Sequence, residues 1–249
     1  MTWYEDWFDS ELYELVYASR DERDAERLAD LIVRVATPSA GSEILDVGTG
    51  RGRHARVLAR RGYRVTGLDL SPRAVETARR RAEAAGLADR TAFVTGDMRE
   101  VQFRETFDGV VNLFSSFGYF EDEADHGRAV RAMAAALRPG GWLVQDLLNP
   151  AHLEQHLVPE DEREVGGVHV RQRRRLVKRE GRLRVEKEIV LTSREGEPYT
   201  TTESVRLFTP DELEALYDEA GLEVCGRFGD YAGGPLTGES PRLILYAQR

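Results

Sequence analysis

Glu43-Ile44-Leu45-Asp46-Val47-Gly48-Thr49-Gly50-Arg51-Gly52-Arg53, with Gly67-Leu68-Asp69-Leu70 downstream, decides the fold of this chain. Glu43 to Val47 is a short apolar run that ends in a glycine turn, the pattern of a buried strand. The turn leads into a helix-forming stretch, Arg53 to Arg61. A second apolar run, Tyr63 to Leu68, closes on the carboxylate of Asp69. Strand, turn, helix and strand in that order open an α/β domain. Glycine has no Cβ to keep backbone away from a ligand. A helix start also offers unpaired N–H groups to an anionic group. Asp69 stands about 20 residues beyond the turn, where an acid can hold the two hydroxyls of a ribose. The unit therefore reads as half of a nucleoside-binding domain.

The glycines Gly48, Gly50 and Gly52 follow G-x-G-x-G, whereas dinucleotide folds use G-x-G-x-x-G. Asp46 precedes the first of them by two residues. A carboxylate there suits a ligand with a cationic amino-acid end and would repel a pyrophosphate, which disfavours an NAD-dependent oxidoreductase. A third acid follows the run Ala92 to Thr95, in Gly96-Asp97-Met98. Asp97 can accept from an adenine amino group while Met98 packs on the ring. A fourth strand, Phe107 to Leu113, opens into Phe114-Ser115-Ser116-Phe117-Gly118-Tyr119-Phe120. A fifth follows Leu137-Arg138-Pro139-Gly140-Gly141, where Pro and Gly stop a helix. Ser71-Pro72 marks a helix start, with Ser as N-cap and Pro at N1, and Gly86 marks that helix's end.

Together these motifs resemble the class I S-adenosylmethionine (SAM)-dependent methyltransferases, over residues 40–150. The resemblance implies a Rossmann-like α/β fold: a seven-stranded, mostly parallel sheet with an antiparallel last strand. It implies SAM as cofactor. Asp46, Gly48, Thr49 and Gly50 would approach its methionine portion, and Asp69 its ribose, with Leu70 against the adenine. Asp97 and Met98 would sit at the adenine edge. Leu113, with Asn112 beside it, would lie below the sulfonium. Arg53 and His54 are further candidates, though a residue such as Arg53 at a helix start can also be a solvated charge.

The flanks narrow the resemblance. Trp3, Tyr4, Trp7 and Phe8 open the chain, and Leu12, Leu15, Val16, Leu28, Leu31, Ile32 and Val35 recur at helical spacing, with a break expected near Ala18-Ser19-Arg20. Residues 1–36 thus form a helical cap, and 41–150 the SAM-binding core. In residues 160–208, Leu183, Val185, Ile189 and Leu191 alternate as a strand does. Glu180-Gly181 reads as a hairpin turn, and Tyr199 to Phe208 as a further strand. A three-stranded antiparallel β lid is expected there. Thr209-Pro210-Asp211-Glu212 is a capping box. Strands near 222–228 and 242–248 complete the core within residues 209–249. The resemblance implies one methyltransferase domain over residues 1–249. The cap motif Leu12-Tyr13-Glu14-Leu15-Val16-Tyr17, the Leu113 to Gly118 stretch and Val205-Arg206-Leu207-Phe208-Thr209 resemble the sugar-amine N,N-dimethyltransferases of macrolide biosynthesis and their bacterial relatives.

Composition bounds the partners. The 249 residues carry a net charge of −9 and are 41% hydrophobic, as in a soluble globular protein. The acidic balance argues against a large nucleic-acid footprint. No run of about 18 apolar residues suggests a membrane span, and the start of the chain does not read as a signal peptide. The single cysteine, Cys225, cannot form an internal disulfide, and a reducing cytoplasm is the natural compartment. Cys225 reads as a small core residue. No metal site is expected, and the lid could mediate homodimerisation.

Methyl transfer is an in-line displacement that needs positioning and exclusion of water. A protonated amine acceptor also needs a proton acceptor nearby. Tyr4, Trp7 and Tyr13 could close over the methionine end, since an aromatic face near a sulfonium is favourable; Trp3 and Phe8 read as glue between cap and core. Tyr119, Asp230 and Tyr231 follow sheet strands at the end where such folds open. His126 and His156 read as surface residues. Glu203 falls on the more apolar face of its strand. It could bind a substrate amine or take its proton, or form a cross-strand ion pair with a lid arginine. Arg171, Arg173, Arg174, Arg175, Lys178 and Arg179 form a basic strand without interleaved aromatics, so a solvated strand facing acidic neighbours is the simpler reading. The reading is a methyltransferase acting on an amine or hydroxyl of a small molecule. The alternatives are an RNA-directed enzyme using the basic strand, and a non-catalytic binder of SAM or S-adenosylhomocysteine (SAH).

Overall fold

The computed structural model describes residues 2–17, 22–193 and 197–249; the expected break near Ala18-Ser19-Arg20 lies outside them. A seven-stranded sheet is built from β1 (Glu43–Val47), β2 (Arg64–Asp69), β3 (Thr91–Thr95), β4 (Phe107–Asn112), β5 (Leu137–Leu148), β10 (Glu223–Phe228) and β11 (Arg242–Gln248). Its order is β10-β11-β5-β4-β1-β2-β3. Pairings among β1 to β5 are parallel. The last strand, β11, enters antiparallel between β5 and β10. This is the expected class I arrangement.

Alternation along the strands fills both faces. Ile44, Val65, Val111 and Ile244 pack with the buried stripes of α3 (Glu22–Ala36), α4 (Arg53–Arg60) and α5 (Pro72–Ala84). Leu45, Val110, Leu143 and Leu245 pack on the other face with α6 (Glu123–Ala136) and α8 (Pro210–Glu219). The helix starts are those the sequence marks. Ser71 Oγ accepts from the Ala74 N–H, and Thr209 and Glu212 form a capping box. The stretch 137–141 departs from expectation: α6 does stop at Ala136, but the Pro-Gly-Gly segment already belongs to β5, with an irregularity opposite Phe107 and Gly109.

The lid has four strands, not three: β6 (Glu160–Val165), β7 (Val168–Arg179), β8 (Arg182–Ser193) and β9 (Tyr199–Arg206), in that order. β6 is almost wholly charged, so hydrophobic alternation does not reveal it. Its strand character comes from β7, through a Gly166-Gly167 turn with both φ positive, the geometry of a two-residue hairpin. The Glu180-Gly181 turn has the same form. The arginines of the basic strand pair with neighbouring carboxylates. Arg171 and Arg173 pair with Glu160, Arg174 with Asp161, and Arg175 and Arg179 with Glu186.

Of residues 1–36, only the first part is a cap. The short helices α1 (Trp3–Phe8) and α2 (Glu11–Val16) lie against the lid through Trp7, Val16, Val170, Ile189 and Leu191. α3 belongs to the core instead. α7 (Pro150–His156) follows β5, capped by Asn149. Two further expectations are corrected. Cys225 is exposed, because it sits on the edge strand β10 beside the Val224/Gly226 irregularity. His126 is fully buried among Phe117, Phe120 and Phe208, because α6 turns that face toward the loop after β4. No helix among the described residues is long and apolar enough to cross a membrane.

Candidate active site

A cavity of about 490 Å³ opens at the carboxyl ends of β1, β2 and β4, where the chain's crossovers diverge on either side of β1 and β4. The turn after β1 supplies Gly48, Thr49, Gly50 and Arg53, and β2 and its exit supply Asp69 and Leu70. Asp97 and Met98 come from the turn after β3, and Leu113 from the end of β4. Tyr4 and Tyr13 reach in from the cap, and Tyr119 from the loop after β4.

The glycine turn is shaped by what faces it. At Gly48 (φ +73) a Cβ would stand 2.7 Å from Ser116 Cβ, so the turn and the loop after β4 touch there. At Gly50 (φ +54) a Cβ would meet nothing within 4 Å, and the backbone borders open cavity. The Gly50 N–H donates to Asp69 Oδ2 (2.7 Å) and the Ser71 N–H to Asp69 Oδ1 (3.0 Å). Burial pushes the Asp69 carboxyl up, against these two amide bonds. Each oxygen keeps a lone-pair direction for a ligand hydroxyl. Asp97 is oriented by Arg99, whose Nε lies 3.1 and 3.0 Å from its two oxygens. Burial opposes ionisation of Asp97, but Arg99's hydrogen bonds and charge prevail and hold it below the usual carboxylate range.

Six residues expected at the site stand behind its wall. Asp46 lies beneath the turn, 1% exposed, and accepts from Thr49 Oγ1 (2.6 Å). Burial pushes its pKa up to about 7, with Thr49 opposing and the charge of Asp69 adding to the shift. Asn112 is a buried strut. Its amide donates to Val47 O (2.8 Å) and its oxygen accepts from Gln145, which in turn accepts from Tyr217. Glu203 pairs across the lid with Lys187 (2.5 Å), a lysine in place of the expected arginine. It also accepts from Trp7 Nε1 (2.6 Å) and from the Tyr17 hydroxyl (2.6 and 2.7 Å). Tyr17 itself faces the cavity, so Glu203 stands one ring behind it. Trp7 is correspondingly buried against the lid and does not border the cavity. Tyr231 donates to Asp146 Oδ2 (3.1 Å), behind Phe114. Asp230 accepts from the Gly234 N–H (3.0 Å) and stabilises its own loop.

Several cavity residues went unread in the sequence. Phe8, taken as glue, lines the cavity and also packs edge-on against Tyr119. Tyr17 and Phe114 also line it. The signal for the residues behind Phe114 was a lone acid, Asp146, inside the apolar run Trp142 to Leu148.

The methyltransferase domain family matches residues 44–141. An N,N-dimethyltransferase of dTDP-3-amino-3,4,6-trideoxy-alpha-D-glucopyranose from Streptomyces venezuelae is 30% identical, over 86% of this chain and 90% of its own. One acting on dTDP-3-amino-3,6-dideoxy-alpha-D-glucopyranose, from Streptomyces fradiae, is 32% identical over 86% and 84%. The chain belongs to the SAM-dependent methyltransferases. Among solved structures, the SAM-bound amino pentose methyltransferase of Micromonospora echinaspora, involved in calicheamicin biosynthesis, superposes with a TM-score of 0.72 at 28% identity, covering 96% of this chain and 97% of that one. The cavity of this methyltransferase fits SAM on its own geometry. Gly50 leaves room for a ligand against bare backbone, Asp69 offers an ordered acceptor to a diol, and Leu70 and Met98 give the apolar surface a purine needs.

Proposed function

We propose that this methyltransferase acts on the amine nitrogen of a small polar molecule of the amino-sugar class. The observation that carries this reading is the aromatic wall: Tyr4, Phe8, Tyr13, Tyr17, Tyr119 and Phe120 all line the cavity. Aromatic faces favour cations, which suits a protonated amine as well as a sulfonium. The two sugar-amine relatives support the same choice. SAM, when bound, supplies a methyl group on a cationic sulfur with a neutral leaving group. The chain's own task is to hold and to desolvate. Asp69 accepts from the ribose hydroxyls, Asp97 from the adenine amine, and Leu113 bounds the sulfur region. Gly48, Thr49, Gly50 and Arg53 hold the methionine end, with Asp46 and Asn112 fixing the backbone beneath. Tyr4 and Tyr13 cover it. Tyr119, whose hydroxyl donates to Ser115 O (2.6 Å), accepts from an N–H of the neutral amine, the ammonium having first lost a proton to solvent, and so orients the lone pair. Glu203 and Tyr231 act through Tyr17 and Asp146.

The same reading makes residues 1–249 one catalytic domain working in the cytoplasm, on a small molecule and not a nucleic acid, with homodimerisation through the lid as an added proposal. The test is mass spectrometry of the protein incubated with SAM and dTDP-3-amino-3,6-dideoxy-alpha-D-glucopyranose, beside its 3-hydroxy counterpart. One or two methyl additions on the amine alone are expected. Methylation confined to the hydroxyl compound overturns the amine assignment.

A further inference from the structure

The chain leaves β4 through two consecutive non-glycine residues in the left-handed region, Phe114 at φ +58 and Ser115 at φ +61. Left-handed backbone costs energy at any residue with a Cβ, and it persists only where surroundings enforce it. Here one residue, Asp146 on β5, supplies much of the enforcement through its side chain and its backbone. Its Oδ2 accepts from the Phe114 N–H (3.0 Å) and its backbone oxygen from the Ser115 N–H (2.9 Å). Asp146 is fully buried, and its charge is matched by Arg242 at the start of β11, whose Nε lies 2.7 Å from Oδ1. Arg242 also donates to Ser115 Oγ (3.1 Å), and Tyr231 caps Asp146 Oδ2.

A buried ion pair is seldom the most stable way to fill such a space, since apolar residues of the same volume do as well or better. What apolar residues cannot do is accept from an N–H pointing into the sheet. The strained turn has a visible product. It lays the Phe114 ring along the cavity wall between the guanidinium groups of Arg53 (4.6 Å) and Arg242 (5.7 Å). It also brings Ser116 Oγ within 3.2 Å of Gly48 O, against the glycine turn.

We propose that Asp146 is a positioning residue for the cofactor: by clamping the Phe114-Ser115 turn it fixes the wall segment from Leu113 to Ser116 against Gly48. The role rests on SAM binding and is independent of which acceptor is used. Calorimetric titration with SAH tests it, with the wild-type protein as the control that the cofactor site itself exists. Asp146→Asn is expected to weaken SAH binding about tenfold, the scale of one unenforced left-handed residue. Adding Ser115→Gly, which lets the backbone take positive φ without the clamp, is expected to recover most of that loss while leaving the melting temperature below wild type. A packing role alone predicts no recovery. Affinity unchanged in Asp146→Asn, or no gain from Ser115→Gly in that background, overturns the proposal. If Asp146→Asn does not fold, Tyr231→Phe removes one bond to the same carboxylate, and about a threefold weakening is expected for a lost neutral hydrogen bond; unchanged affinity there overturns it equally.

Discussion

Asp69 is the residue whose loss should be felt most directly. Under the proposed function it accepts from the ribose hydroxyls, and a charged hydrogen bond is worth roughly 1.5–3 kcal/mol. Asp69→Ala is therefore expected to weaken SAH binding by about that amount in calorimetry, and equal affinity would refute the assignment. Asp46 makes a different prediction. Burial raises it to about 7, whereas in the unfolded chain it titrates near about 3.9. Between those values the folded protein holds a proton that the unfolded chain has released, so this group's contribution to stability falls as pH rises from about 4 to about 7. Asp46→Asn should accordingly lose less melting temperature than wild type between about pH 5 and pH 8; parallel curves would sink the idea. Both aspartates were legible from their spacing around the glycines. That one faces the cavity and the other lies beneath it was not, because the direction of a side chain at a strand end depends on the turn's dihedral angles. Asp146 escaped notice for a related reason: its role depends on a partner, Arg242, almost a hundred residues away.

At the scale of elements, β1, β2 and β3 were readable because each carries an apolar run that leads into glycine or an acid, Gly48, Asp69 and Gly96. β6 was not, since ion pairs with β7 replace apolar alternation there. The lid and cap meet at Glu203, where side chains from both sides share one carboxylate. Glu203→Gln leaves Lys187 largely buried beside a neutral group, and breaking such a pair costs roughly 3–5 kcal/mol. A fall in thermal stability of that size is expected, restored in part by Lys187→Met in the same chain. Lost turnover with unaltered stability would return Glu203 to a chemical role. His126, held between α6 and the loop after β4, is pushed down to about 4, chiefly by burial and then by Arg184 and Arg206. The unfolded chain takes up this proton near about 6.5, so stability falls as pH drops from about 6.5 to about 4. His126→Phe, which suits its phenylalanine surroundings, should flatten the acid limb of the stability curve.

For the whole molecule, each arginine of the basic strand at 171, 173, 174, 175 and 179 has a carboxylate in reach. With a net charge of −9, the protein is expected to pass through an RNA column at low salt; retention that fades as salt rises would restore the RNA reading. The overall architecture followed from the order of motifs, whereas the closeness of cap, lid and core around one cavity did not, since no local pattern encodes which faces meet across the chain. The sheet's order also sets a schedule for synthesis. β11 is the last strand of this sheet in chain order, yet it occupies an interior position between β5 and β10. Until residues 242–248 have emerged, β5 presents a naked, apolar edge to every other nascent chain, and Arg242 is not yet there to meet Asp146. A polypeptide stalled before that strand would therefore keep β5 open to edge-to-edge pairing.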